Sequence, residues 1–137
     1  LTLDSVREIL SNRIISAWAT YAGSEDLFIE GVQEPDLNSQ ENPFAMFSVD
    51  LPDIRQADMN GDNPLQRGFS FVRVSICAKA GGGTKPLFTM LEIVRKAFAV
   101  QMVDSIRLYG ITSKQMEPAV GWQLWSVSVP IQFDSIT

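Results

Sequence analysis

Two long stretches of alternation, "FSFVRVSICAK" (69–79) and "GWQLWSVSVPIQFDS" (121–135), constrain the fold more than anything else in the chain. In the second, Trp125, Val127, Val129, Ile131 and Phe133 recur at a period of two, the repeat of a strand with one face against a core. In the first, Val72, Val74 and Ile76 share one face, while Phe69, Phe71, Arg73 and Cys77 share the other. Strands this long persist only as neighbours in a sheet that is covered on at least one side. Pro130 falls inside the closing run; without a backbone donor it is expected at a sheet edge or a bulge.

Two segments with helical spacing can supply the cover. Leu3, Val6, Ile9, Leu10, Ile14, Ala17 and Trp18 step by threes and fours, with Glu8 and Asn12 on the solvated side. Thr2, or Ser5 with Glu8 three residues on, suits the N-cap, and Tyr21-Ala22-Gly23-Ser24 ends the pattern. Leu87, Met90, Leu91, Val94 and Phe98 give the second stripe. Shorter strands are expected at "LFIEGV" (27–32), "FAMFSVDL" (44–51) and "SIRLYGI" (105–111), with Ala45, Phe47, Val49 and Leu51 on one face of the second. The order α-β-β-β-α-β-β predicts an α+β fold: a mixed, mostly antiparallel sheet of four to six strands with both amphipathic helices on one face. The helix stripes are expected over Val74, Ile76, Val127 and Val129. That leaves Phe69, Phe71, Trp122 and Leu124 on or near the other face. Residues 52–68, "PDIRQADMNGDNPLQRG", show no periodicity and read as a long mobile loop within a single domain spanning 1–137. The second sheet face is expected to meet either that loop or a partner chain.

Composition enters through what it removes. There is no histidine, which excludes Ser-His-Asp and Cys-His catalysis and histidine-ligated metals. A single cysteine excludes an intrachain disulfide and a cysteine metal cluster, and Cys77, set within an alternating run, reads as a packed thiol. A net charge of −5, with Arg95-Lys96 the one adjacent basic pair, argues against non-specific grip on DNA phosphates or anionic membranes. No apolar run has the length to cross a bilayer.

The glycine-rich "AKAGGGTKPL" (78–87) lies between a strand and a helix, a context in which phosphates are cradled. Placing the second Walker glycine on Gly83 puts the first on Ala78 and the lysine on Thr84, and Lys85 is followed by Pro86. The dinucleotide pattern fails where Pro86 takes the third glycine position. A turn leading to an N-cap at Thr84, with Pro86 in the first helical turn, accounts for the same residues. "DMNGDN" (58–63) misplaces glycine for a calcium loop, with Gly61 at position four and Phe69 at position twelve. Glu30, Glu34, Asp36, Glu41, Asp50 and Asp53 are spread over loops and strand ends, with nothing to pair two of them as acid and base. No catalytic residue, cofactor or metal site is expected.

Taken in order, the opening helix "LTLDSVREILSNRIISAW", the strand "PFAMFSV", the long segment before "RGFSFVRVSICAK", the glycine step into "PLFTMLEIVRKAF", and the closing "GWQLWSVSVPIQFD" resemble the tail-terminator (tail-completion) proteins of long-tailed bacteriophages. The resemblance covers nearly the whole chain and is architectural, without a catalytic signature. It implies a structural virion protein that is not an enzyme and binds no cofactor. It further implies a homo-hexameric ring that caps the tail tube, ends its polymerisation and offers the head-joining surface. The implied partners are further copies of the chain, the tail tube protein and a head–tail connector. DNA passes through without specific binding, no membrane is involved, and the place is the virion tail, assembled in the host cytoplasm. Six copies at −5 make a ring of about −30, a charge that lets DNA slide past. Candidate assembly contacts are Asp53, Arg55, Asp58, Asp62 and Arg67 in the long segment, with Phe69, Phe71 and Trp122 on the second face. A tube subunit or a head–tail joining protein is the neighbouring alternative. Tube subunits carry a long hairpin, and the polar 52–68 segment does not read as one. A small ligand-binding domain using the 81–85 turn is the alternative from a different class.

Overall fold

The computed structural model describes residues 2–37, 39–56, 65–119 and 121–136. Among them the elements run α1 (Leu3–Tyr21), β1 (Asp26–Ile29), β2 (Phe44–Val49), β3 (Asp53–Gln56), β4 (Leu65–Lys79), α2 (Lys85–Phe98), β5 (Met102–Val103), β6 (Ile106–Leu108), β7 (Thr112–Ala119) and β8 (Trp122–Ile136). The two alternating runs are β4 and β8, paired antiparallel from Leu65↔Ile136 to Lys79↔Trp122. They form the spine of a sheet ordered β1-β2-β4-β8-β6-β5, with β3 also on β4 and β7 also on β8. β1 joins β2 in parallel and the remaining pairs are antiparallel, so the sheet is mixed and the α+β expectation holds.

Both helices lie on one face. Val6, Leu10, Ile14 and Trp18 of α1 and Leu87, Met90, Val94 and Phe98 of α2 share one buried cluster with Val72, Val74, Ile76, Val127, Val129, Ile131 and Phe133. Each such side chain withdrawn from water contributes about 1.5–3 kcal/mol, which is what holds the helices to the sheet. Thr2, the first of the two expected caps, closes α1 through a capping box with Ser5. Arg13 of α1 donates from Nε to the Ala97 carbonyl near the end of α2, satisfying one of the orphan acceptors there and tying the helices together.

Four sequence expectations are corrected. The 52–68 segment is not one loop: β3 and the first residues of β4 pair antiparallel from Asp53↔Phe69 to Gln56↔Gln66, forming a hairpin. Polar β3 lacks the apolar alternation by which a strand is recognised. Leu51 is 94% exposed beyond the end of β2, so it does not continue the buried face of Ala45 and Phe47. β5 and β7 are additional strands, bringing the sheet to eight where four to six were expected, and β7 carries no apolar period of two. Pro130 lies on interior β8, at the point where the β6–β8 ladder stops after Leu108↔Ile131. Its carbonyl accepts from the Tyr109 amide at 2.9 Å, in the gap where β7 gives way to β6. A strand glycine, Gly68, sits opposite Phe133, whose ring fills the space that a methyl group would need.

Candidate functional site

The sheet face away from the helices divides into three zones, set by which residues point outward from β4, β8 and their neighbours. At one end Phe28, Phe44, Cys77 and Trp122 form a second small core, with Phe44 edge-on to both Phe28 and Trp122 at centroid distances of 5.7 and 5.1 Å. A groove of about 330 Å³ runs over it, walled by Glu34, Pro35 and Leu37 and floored by Met46, Cys77 and Leu124. Burial pushes the Cys77 thiol up to about 11, so it stays protonated and packs as a small apolar group.

The middle of the face is polar. Arg73, Thr112, Lys114, Ser126 and Ser128, with Met116 at one end, line a trough of about 410 Å³. Asp50 accepts from Arg73 Nε at 2.6 Å, and the guanidinium carbon lies 5.4 Å from the centre of the Phe71 ring. Buried Ser70 donates its hydroxyl to the Asp50 carbonyl at 2.7 Å, fixing the chain that carries this carboxylate. Toward the far end Phe69 and Phe71 are 37% and 42% exposed, and Arg67 pairs with Asp134 at 3.0 Å.

The predicted contact residues are therefore only partly gathered. Phe69, Phe71 and Arg67 share the outer face of β4, and Asp53 stands opposite Phe69 in the register, as Arg55 does to Arg67. Trp122 is the exception: it is 5% exposed, packed edge-on to Phe44 with the Lys79 ammonium 5.9 Å from its ring centre, and its surface is used within the chain. Asp58 and Asp62 lie outside the described residues. The trough residues on β7 and β8 were missed because they form no apolar period, and only the β7–β8 pairing brings them together.

The glycine turn is a tied connection. Gly81 and Gly83 have φ of 83° and 80°, and Gln123 Nε2 donates to the carbonyls of Lys79 and Gly83 at 3.2 and 3.1 Å. Thr84 is the N-cap of α2, but its side chain makes no capping bond. Among the described residues no group of three or more Cys, Asp or Glu side chains is placed to hold a metal. No helix in the described residues is long and apolar enough to cross a membrane.

No protein-family model matches the chain, and no curated protein matches it. Among solved structures, a chain from the virion of a native gene transfer agent particle has the same fold. The two superpose with a TM-score of 0.60 at 12% identity, over 98% of this chain and 100% of that one.

Proposed function

We propose that this chain is a structural protein of a phage-like particle, and that it forms the ring capping a finished tail tube. On this reading it ends tube polymerisation and offers the surface that meets the head. The observation that carries the reading is the end-to-end fold match with a chain of a gene transfer agent virion. The exposed Phe69 and Phe71 and the uncovered polar trough support it, since a protein that works by assembly needs such surfaces. Its partners are further copies of itself in a homo-hexamer, the tail tube protein and a head–tail connector. It works without catalysis, as part of the virion.

A second reading has a specific observation behind it. The β3–β4 hairpin is the kind of feature that the family resemblance implies for tube subunits, and the sequence reading did not expect one here. Electron microscopy of the purified chain, alone and with growing tail tubes, separates the two. Rings of fixed height that seat on tube ends and halt elongation support the cap. Tubes of unlimited length built from this chain alone favour the tube subunit. A chain that joins neither itself nor tubes at high concentration overturns both readings.

A further inference from the structure

Charge is unevenly placed along this chain. Residues 14–54 hold eight of the 16 carboxylates and no lysine or arginine, a net of −8. The rest of the chain is then at +3, since the whole is −5. The acidic part includes β1 and its connection to β2, where Glu30, Glu34 and Glu41 are exposed. The polar trough lies across the sheet from β1, and of the acidic part Asp50 reaches it, pairing with Arg73. Along β1-β2-β4-β8 with β7 beyond, β1 and β7 are four strand spacings apart, about 19 Å.

The trough carries two cations of its own. Arg73 is held by Asp50, whereas Lys114 stands on a strand that is exposed from Thr112 to Pro118. The hydroxyls of Ser126 and Ser128 stand beside them as donors, while Thr112 donates its own to the Ser128 carbonyl at 3.4 Å. Among the described residues β7 pairs with β8 alone, so its other edge faces outward. Lys114 and Pro118 on that edge discourage simple addition of another strand, which favours contact through side chains.

We propose that the trough seats the acidic 25–41 segment of a second copy of this chain. Each copy presents Glu30 and Glu34 and receives the next copy's carboxylates at Lys114 and the serine hydroxyls of β8. Two different surfaces of one chain make a head-to-tail contact, the kind that closes into rings or runs on as filaments. The inference rests on the assembly reading and names the interface for it. Oppositely charged patches guide encounter and register, and their attraction weakens as salt screens it.

The test uses three full-length proteins: Lys114→Glu, the pair Glu30→Lys with Glu34→Lys, and the chain carrying all three changes. Self-association is read by sedimentation at low and high salt, with far-UV circular dichroism as the check on folding. Each reversed protein alone should associate on the order of tenfold more weakly at low salt. The triple variant should recover. An equal mixture of the two reversed proteins should also recover, because alternating copies restore an opposite-charge contact at every junction. Assemblies that form unchanged in both reversed proteins overturn this interface and leave the ring reading standing. No self-association of the unaltered chain at any salt overturns the ring reading and the interface with it.

Discussion

At the scale of single residues, Cys77 links burial to behaviour in solution. Its thiol is 8% exposed among Phe28, Phe44 and Trp122, and burial raises it from an ordinary 9.0 to about 11. The sign follows directly. Below pH 9 the thiol is neutral in both folded and unfolded chains, so its burial carries no ionisation penalty. As pH rises from 9 toward 11 the unfolded chain releases the proton while the fold retains it, and stability falls. We expect a loss of about 1–2 kcal/mol by about pH 10.5, seen as a lower urea midpoint and absent in Cys77→Ala. A midpoint that falls equally in both proteins would assign the drop to other groups. Its packed state was legible in the sequence because Cys77 stands in an alternating run, on the face of Phe69 and Phe71. What the sequence did not yield was the company: Phe28 and Phe44 reach it through pairing of β1 and β2 across to β4.

At the scale of elements, apolar periodicity decided what could be seen. α1, α2, β4 and β8 each repeat apolar residues at their own period and were recognised with the right inward faces. β3 and β7 are held by backbone ladders to β4 and β8, and β7 is exposed from Thr112 to Pro118, so they leave no such pattern. The candidate site suffers for the same reason, since Lys114, Ser126 and Ser128 have no signature until β7 is in place. The connection from β4 to α2 was legible by elimination of phosphate motifs, but its restraint was not. Gly81 and Gly83 are left-handed with open space around them, so a methyl group there meets backbone strain and no clash. Changing both to alanine should cost about 2–4 kcal/mol in thermal or urea unfolding, from about 1–2 kcal/mol at each position. Gln123→Ala should cost about 1–3 kcal/mol by freeing two carbonyls. Unfolding midpoints unchanged in both variants would mean that the turn is a slack hinge after all.

At the scale of the whole molecule, two clusters share one sheet. The main core binds both helices to the inner face, and the small aromatic cluster seals one end of the outer face. β4 and β8 carry residues of both: Ile76 faces inward next to outward Cys77, and Trp122 points outward three residues before Trp125, which packs edge-on to Phe88 at 4.8 Å. Loss of either cluster therefore removes partners from the same two strands. Because β4 and β8 lie far apart in sequence, their ladder forms only when the chain between them, including α2, is in place. The 1–137 chain should then unfold as a single cooperative unit, as sequence length and a shared core suggest. Trp18 reports on the main core, Trp122 on the outer cluster and Trp125 on the helix-facing end of the spine. Three proteins that each keep one tryptophan, with phenylalanine at the other two sites, give a separate fluorescence reading of each region. In each protein the urea midpoint by fluorescence should match the midpoint by far-UV circular dichroism. An earlier midpoint for Trp122 alone would show that the outer cluster opens first, leaving the end of the sheet beside the acidic segment free to rearrange before the core gives way.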